Sequence, residues 1–497
     1  MNTQTNMDKV RDFFFRNKVV LLFVIISLFA FRASQMTTVM FFNELFTRFG
    51  RNTFIVLSLL IPIVAGLGLN FGIVIGAMAA QIAIIFVVLW GGSGVWGLVA
   101  IVALATPIAI LFGYLVGRMF NNMKGSEMIA GLVTGLFANG FYQFFFLFVM
   151  GGVIPITNER IMTGTGVGVL NAINLDTSPS YMRQAFDNVP MINILDIAFV
   201  AVLVYTVLLV IYKLVKKQPL QMFGPVGLIR TLAVLVPLAL LFALSHISVQ
   251  FHIFLSQNRL NGLLAWRLVA ACAFLSLVAV MVQEKLIKKR PGMPGKHLLY
   301  AAIALAAFLV TWFSEINSGL TRVQIPVLTW LFIGGLCLFI KWFMSTQLGQ
   351  NMRTVGQNRA VATAAGINVE RTRIIAMIMS TVLAAYGHII SLQNIGVMNT
   401  YSSHEHVGLF AIAALLVGGA TVNHASVKHA LLGVVLFHSL FIVAPMAGTR
   451  LMDSALIGEY FRMFVAYAVI ALALVMHAWK RTKKRKPSPA AEPSSAA

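Results

Sequence analysis

Single polar side chains interrupt several long apolar stretches of this chain, and their chemistry suits the binding of a neutral solute. They are amides with aromatic rings nearby: Asn70, Phe71, Gln81, Asn139, Tyr142, Gln143, Gln393 and Asn394. Amides donate and accept hydrogen bonds, while ring faces can stack on the C–H groups of sugars or on bases. The set predicts a path for a polyhydroxylated or heterocyclic solute, although an inter-helix hydrogen bond explains any single residue equally well.

The elements that hold these residues must be membrane helices, because the chain is too apolar for a soluble domain. Of its 497 residues, 59% are hydrophobic and 10% are charged, and the mean hydropathy is +0.87. Soluble domains are about 25% charged. Unbroken apolar runs such as Val19–Ala30 and Ile197–Tyr212 favour helices, which bond their backbone internally in lipid, over the short alternating strands of a β-barrel. The prediction is an all-α polytopic bundle.

Counting about 20 apolar residues for each crossing predicts about fourteen spans. They lie near 19–33, 53–69, 70–90, 95–118, 127–150, 192–212, 231–250, 264–284, 297–314, 326–344, 373–393, 407–423, 429–447 and 461–479. The net charge of +22 comes largely from Lys and Arg at span ends, which is typical of loops that stay on the cytoplasmic side beside anionic lipids. We therefore expect both termini in the cytoplasm and no nucleic-acid partner.

The predicted organisation follows from these spans. A cytoplasmic tail (1–18) precedes an N-terminal membrane bundle (19–150), an extracytoplasmic loop (151–191), helices at 192–325, a membrane core (326–480) and a disordered basic tail (481–497). Gly66, Gly68, Asn70 and Gly72 lie between two apolar runs and predict a broken helix near 66–72. Irregular backbone at membrane depth needs burial in protein or a cavity. Close packing of Gly72, Gly76 and Ala80 is the alternative, and both can hold.

The chain lacks the residues that would power transport. The nearest string to a phosphate-binding loop, at 292–297, has the wrong spacing, and Asp196 is the main acid inside a predicted span. No Arg or Lys is expected within the spans, which argues against a carboxylate substrate, although backbone amides at broken helix ends could bind one. Two cysteines in apolar runs and the pair His404 and His406 are too few for a metal site. We predict no catalytic residue, metal or cofactor in this chain.

The segment 349–373 is the most informative. Its alanines favour a short helix, Gly366 would end that helix, and Asn368 would cap the next one. A short amphipathic helix on the inner face could dock in a groove on a partner and transmit rigid-body motion to the adjoining spans.

This segment resembles the cytoplasmic loop of permease subunits of bacterial ABC importers for simple sugars and branched-chain amino acids. The matching residues are Gly356, Asn358, Ala360, Ala362, Gly366 and Ile367, and Ala411–Ala420 is also similar to that family. The resemblance is good over about 326–480 and weaker over 53–150. Since family members usually have around ten spans, 192–325 would be inserted helices.

The resemblance implies a multi-pass protein of the bacterial inner membrane with three kinds of partner. These are a cytoplasmic ATPase carrying ATP and Mg²⁺, an extracytoplasmic solute-binding protein, and a second permease subunit, identical or related. Residues 349–373 would be the coupling segment, with Arg353, Arg359, Arg371 and Arg373 meeting the ATPase. The first hypothesis is a permease for a simple sugar or nucleoside. The alternatives are a branched-chain amino acid permease and an ion-coupled carrier using Asp196, with a membrane enzyme ranked last.

Overall fold

The computed structural model of the chain describes residues 18–123, 125–156, 158, 160–164, 166–176, 180–215, 228–282, 295–454, 456–458, 460–464, 467–468 and 471. Residues 1–17 and 481–497 of the predicted tails, residues 216–217 and 285–294 of the Lys-rich loops, and most of the predicted span 461–479 lie outside these residues. The described part forms two compact units, one made of 1–183 with 333–497 and the other of 184–332. The predicted insertion, 192–325, lies within the second unit.

The first unit contains the helices on which the predicted site residues lie. Its elements are α1 (Lys18–Ser34), α2 (Thr38–Ser58), α3 (Leu60–Val64), α4 (Ile73–Leu89), α5 (Gly94–Asn122), α6 (Glu127–Phe144), β1 (Ala172–Asn174), and, after the second unit, α14 (Gln347–Gln357), α15 (Arg359–Ala364), α16 (Val369–Ile395), β4 (Val397–Asn399), α17 (Glu405–Val417) and α18 (Val427–Met452). A π-helical turn at Phe145–Val149 and Met150–Gly152 extend α6. The short strands β1 and β4 pair antiparallel, with Ile173 opposite Met398.

The second unit is also helical. It contains α7 (Met191–Val215), α8 (Leu228–Ile247), α9 (Val249–Leu255), β2 (Arg259–Asn261), α10 (Gly262–Val282), α11 (Gly295–Leu309) with a 3₁₀ turn at Val310–Trp312, α12 (Ser314–Thr321), β3 (Gln324–Pro326) and the start of α13 (Val327–Phe343). Helix α10 packs on α11 and α7 on α8. Strands β2 and β3 pair antiparallel.

The helical membrane bundle predicted from composition is confirmed at this level. Seven of the described helices are long and apolar enough to cross a membrane, and two sharply bent helix pairs raise that number to nine. Four more apolar helices are shorter, including α4 and α17. The count of about fourteen spans stays a prediction.

Helix α2 corrects one expectation from the sequence. The predicted spans left residues 34–52 between helices, yet α2 begins at Thr38 and continues through α3 as a candidate span, Thr38–Val64. Arg48 and Arg51 therefore lie inside a candidate span, and the expectation that no cation does so is wrong. The polar first half of α2 is helical because its apolar face packs against α16 and α18, which outweighs its low hydropathy.

Helix α16 is the central element of the first unit, and glycines allow its close packing. It lies against α2, α4 and α5. A Cβ on Gly76 of α4 would be 2.6 Å from the Thr381 carbonyl oxygen, and one on Gly113 of α5 would be 2.7 Å from the Ile378 Cα. Backbones approach this closely only where side chains are absent. The small-residue packing expected around Gly76 is confirmed, and it fixes α4 and α5 against α16.

Candidate functional site

The coupling segment predicted from the sequence folds as two short helices. Helix α14 leaves α13 with a bend of 75° and begins at Thr346, whose hydroxyl accepts a hydrogen bond from the Gly349 N–H at 3.3 Å. Met352 and Val355 on one face of α14 are buried, while Arg353 on the other is exposed. The segment therefore packs on the bundle through an apolar face and leaves a polar face open.

The caps of these helices agree with the sequence. The Asn358 side chain accepts hydrogen bonds from the N–H groups of Ala360 (2.9 Å) and Val361 (3.2 Å) at the start of α15. Gly366 follows the end of α15 at a φ of +76°, which glycine adopts without strain. Asn368 accepts from the Arg371 N–H at 2.9 Å and caps α16. The predicted helix end and cap are confirmed.

Gly356, near the end of α14, touches the backbone that joins α3 to α4. A Cβ on Gly356 would collide with the Val64 carbonyl oxygen, and a Cβ on Gly66 would be 2.7 Å from the Gly356 Cα. Residues 65–72 separate α3 from α4. The interruption expected near 66–72 is thus the part of the bundle against which the coupling segment rests.

Glu127, the first residue of α6, joins the same region through ion pairs. Its Oε1 lies 2.5 Å from the Arg359 Nη2 and 2.6 Å from the Arg373 Nη2. Its Oε2 accepts from the Gly125 N–H at 3.0 Å. The Glu127 and Arg373 side chains are only 9% and 1% exposed, so each buried charge needs the other as its counter-ion. One carboxylate therefore ties α15, α16 and α6 together.

The four arginines expected at the ATPase surface divide into two kinds. Arg353 and Arg371 are exposed and remain candidates for a partner's acidic groups. Arg373 is buried and pairs with Glu127, so the expectation that it meets a partner is wrong, because a buried cation needs its counter-ion within the bundle. Arg359 is partly exposed and also pairs with Glu127.

The remaining predicted coupling residues line or support one recess. Ala360 is exposed, Ile367 is half-buried and Ala362 is fully buried. A cavity of about 500 Å³ opens between α15 and the start of α16, and its walls include Arg359, Ala360, Thr363, Ile367, Asn368, Glu370 and Arg373. The recess offers both charges and apolar surface to a docking side chain.

A second site brings together four of the residues expected to line a solute path. They meet around His404 and Glu405, which were not among the predicted path residues. Nδ1 of His404 is 2.6 Å from the Gln81 Oε1, and Nε2 is 2.7 Å from the Asn139 Oδ1. The Nδ2 of Asn139 donates to the Glu405 Oε1 at 2.9 Å.

Two further side chains complete this polar network. The Nε2 of Gln143 lies 3.4 Å from the same Glu405 oxygen. The ring of Tyr142 lies edge-on to the His404 ring at 4.9 Å between centroids. Glu405 is exposed, whereas Gln81 and His404 are fully buried. The network therefore leads from an exposed carboxylate into the bundle.

The protonation of His404 follows from its surroundings. Burial lowers its pKa to about 4, so the ring is neutral and carries one N–H. One amide must therefore present its NH₂ group to the ring. Asn139 already uses its Nδ2 for Glu405, and the Nε2 of Gln81 has no other partner among the described residues. Turning the Gln81 amide by 180° would let its NH₂ group donate to Nδ1, while the Nε2–H of His404 donates to the Asn139 Oδ1.

This burial predicts a pH dependence of stability. The pKa of His404 is about 4 in the folded protein and about 6.5 in an unfolded chain, so between these values the unfolded chain binds the extra proton. Stability should be highest above about pH 6.5 and fall by up to about 3 kcal/mol as the pH drops to about 4. Thermal unfolding of the wild type and His404→Gln across this range measures it. Identical pH profiles for the two proteins would contradict the assignment.

The other predicted path residues lie outside this network. Asn70 and Gln393 are buried, and their amide groups have no hydrogen-bond partner among the described residues. Phe71 and Asn394 are half-buried. His388 of α16, which was not among the predicted path residues, is buried, and both of its ring nitrogens lack a hydrogen-bond partner in the described structure. Unsatisfied polar groups at this depth are costly and can be satisfied by a solute or water.

A cavity of about 780 Å³ between α4, α5 and α6 has a different character. Its walls are almost entirely apolar, with Phe112, Phe137 and Phe141 among them, and Thr134 and Tyr142 as the polar exceptions. A polyhydroxylated solute would lose its hydrogen bonds to water there without replacing them. The cavity therefore fits such a solute less well than the network around His404.

Comparison with known families decides what kind of protein this is. Residues 190–474, more than half of the chain, match the family described as the permease component of the branched-chain amino acid transport system. The chain belongs to this family. The matched range includes 192–325 as well as the coupling segment. The family is one of membrane transport subunits, in agreement with the resemblance drawn from residues 356–367.

Individual permeases are similar over part of the chain. The xylose transport system permease protein XylH of Haemophilus influenzae is 28% identical over 191 residues, covering 38% of this chain and 46% of XylH. XylH of Escherichia coli is 29% identical over 196 residues, covering 38% and 44%. The galactose/methyl galactoside import permease protein MglC of H. influenzae is 26% identical over 180 residues, covering 35% and 50%. The chain spans about half the length of these relatives, and no solved structure matches it.

Proposed function

We propose that this chain is the membrane-spanning subunit of an ATP-binding cassette importer for a simple sugar, driven by a separate cytoplasmic ATPase that holds ATP and Mg²⁺. One observation carries the proposal. The two helices that leave the coupling contact, α4 and α6, are the helices that carry the polar network. Gln81 follows Gly72 by nine residues, and Asn139 follows Glu127 by twelve.

The contacts support a mechanical route between the two sites. Gly356 bears on the backbone at Val64 and Gly66, and Arg359 is paired with Glu127 at the start of α6. Motion of α14 and α15 would therefore move the α3–α4 link and the start of α6 together. Because helices are stiff, this motion would change the spacing between Gln81 and Asn139, which His404 joins. Separation of Gln81 from Asn139 would open a passage for a bound solute.

The choice of a sugar rests on chemistry and on the relatives. The network offers amides, an imidazole and a carboxylate, which together donate to and accept from hydroxyl groups. XylH and MglC are named for xylose and galactose transport. A branched-chain amino acid is the second candidate, since the family description names one. The expected absence of cations within the spans argued against an amino acid, whose carboxylate needs a cation. Because Arg48 and Arg51 lie within a candidate span, this argument no longer holds.

The rest of the proposal concerns assembly. We expect about fourteen spans in the bacterial inner membrane with both termini cytoplasmic, a second permease subunit, and a solute-binding protein on the outer side. Arg353 and Arg371, exposed on the coupling segment, would meet acidic groups of the ATPase.

Uptake measurements test this function. The chain is reconstituted into liposomes with its ATPase and binding protein, and uptake of labelled xylose, galactose and leucine is followed. We expect sugar uptake that requires ATP on the ATPase side and is unaffected by an ionophore. Uptake that needs no ATP but collapses with the ionophore would instead support an ion-coupled carrier, for which Asp196 on α7 is the candidate carboxylate. Uptake of leucine alone would show that the substrate is an amino acid and not a sugar.

A further inference from the structure

The start of α10 and the end of α11 share an arginine that neither the solute path nor the coupling segment uses. The Arg267 Nε donates to the Thr311 Oγ1 at 3.1 Å, and its Nη2 lies 3.5 Å from the Thr311 carbonyl oxygen. Its Cζ lies 5.5 Å from the centroid of the Trp312 ring, within the range of a cation–π contact. One residue earlier, the Trp266 Nε1 donates to the Ala307 carbonyl oxygen at 2.9 Å. These contacts hold the guanidinium group in a fixed place between the two helices.

The charge of Arg267 has no counter-ion in the described structure. Both hydrogen bonds of its guanidinium group go to the neutral Thr311. None of the ion pairs between described residues includes Arg267, and its Nη1 donates to no described group. The side chain is half-buried, so water does not surround the charge completely. A cation on a membrane helix is normally paired or functional, which indicates that an anion from outside the described chain belongs beside Arg267.

Arg267 lies near one end of a candidate span, not at its middle. The span Gly262–Val282 has 21 residues and is about 31 Å long, close to the thickness of the hydrocarbon core of a bilayer. Arg267 follows Gly262 by five residues, which is about 7.5 Å along the helix axis. Side chains on a helix point back toward its N-terminus. The long side chain of Arg267 therefore carries its charge toward the start of α10, at the level of the lipid headgroups.

Aromatic side chains mark the same end of the two helices. Trp266, Trp312 and Phe313 are all exposed. The apolar helix His297–Trp312 ends here, and the chain becomes polar immediately afterwards, in α12. Tryptophan is enriched where a membrane meets water, because its ring is apolar and its N–H group is polar. This end of α10 and α11 therefore fits the boundary between the hydrocarbon core and the headgroups.

We propose that Arg267 binds the phosphate of an anionic phospholipid headgroup at this end of α10 and α11. A guanidinium group presents a rigid fork of donors that matches phosphate oxygens, and Nη1 has not used its donors on any described residue. An anionic headgroup supplies the negative charge that Arg267 lacks, whereas a zwitterionic headgroup brings its own cation. Exposed Leu268 and Val269 on α10 offer apolar surface to the acyl chains. Free phosphate shares the headgroup chemistry and is the other possible source.

Solid-state NMR of the complete chain tests this proposal at a single side chain. The protein carries ¹⁵N-labelled arginine in phosphatidylglycerol bilayers, and the loss of each guanidinium signal through coupling to ³¹P is recorded. The signal that is absent from Arg267→Gln identifies Arg267, and we expect ³¹P to reduce it in the wild type. The matched control is Arg183, which lies outside the candidate spans and already pairs with Asp176 at 2.6 Å. Its signal, identified with Arg183→Gln, should keep its intensity.

The remaining samples identify the source of the phosphate and keep the test decisive. In maltoside micelles with inorganic phosphate as the only phosphorus, loss of the Arg267 signal would assign the site to the free ion and overturn the lipid. Equal loss in phosphatidylcholine and phosphatidylglycerol would overturn the requirement for an anionic headgroup. No loss in any sample, or an equal loss for Arg183, overturns the site. If Arg267→Gln fails to fold, Arg267→Lys identifies the signal instead, because it keeps the positive charge.

Discussion

Glu127→Gln is expected to destabilise the protein by about 3–5 kcal/mol, the usual cost of removing one partner from a buried ion pair. The change leaves Arg373, 1% exposed, without its counter-ion and also releases Arg359. A neutral amide can still accept a hydrogen bond, but it cannot balance two guanidinium charges. Thermal unfolding of the purified protein in detergent measures the loss.

The matched control for this change is Glu44→Gln. Glu44 also pairs with an arginine, Arg48, but its side chain is 39% exposed, so its loss should cost no more than about 1 kcal/mol. Equal unfolding temperatures for Glu127→Gln and Glu44→Gln would mean that Glu127 does not tie α6 to the coupling segment. A second measurement separates folding from coupling: where Glu127→Gln still folds at low temperature, sugar uptake should be reduced more than nucleotide binding by the ATPase.

Gly356→Ala is expected to abolish ATP-driven uptake while leaving membrane insertion intact. The added Cβ would collide with the Val64 carbonyl oxygen, and a backbone atom cannot yield as a flexible side chain can. The coupling segment must therefore shift away from residues 64–66, at a cost of about 1–3 kcal/mol. Uptake by the reconstituted transporter, compared with its ATP hydrolysis, measures the effect, and we expect hydrolysis to continue without transport.

Two other glycines serve as controls for Gly356. A Cβ on Gly140, within α6, meets no atom within 4 Å, so Gly140→Ala should transport normally. Gly366 also faces open space, but its φ is +76°, so Gly366→Ala should cost about 1 kcal/mol of backbone strain and reduce uptake only partly. Normal uptake by Gly356→Ala would show that the contact with residues 64–66 does not transmit the motion.

Both predictions concern one connection, between the coupling segment on one side and residues 64–66 and the first turn of α6 on the other. It consists of the Gly356 contact, which can transmit a compressive force between touching backbones, and the Arg359–Glu127 ion pair, which can transmit tension. A transporter that alternates between two states needs both directions. We therefore expect the two substitutions to have different main effects. Gly356→Ala should uncouple ATP hydrolysis from uptake, and Glu127→Gln should lower the stability of the protein.

The sequence by itself predicted the features that depend on local chemistry. Hydropathy identified a helical membrane protein, because apolar runs need no distant partner to enter lipid. The end of α15 and the start of α16 followed from Gly366 and Asn368, since a cap acts within a few residues of itself. The family resemblance also came from a contiguous motif, at 356–367, and the match over 190–474 confirms it.

Only the tertiary structure decided which side chains meet. Folding places Glu127, the first residue of α6, between Arg359 and Arg373, more than 230 residues away. His404 looked like half of an inadequate metal pair, yet it joins Gln81 to Asn139. Arg51 looked like a loop cation, yet it lies at the middle of a candidate span. Local sequence fixes helices and caps, whereas the pairing of buried polar groups depends on helix packing, which brings distant residues together.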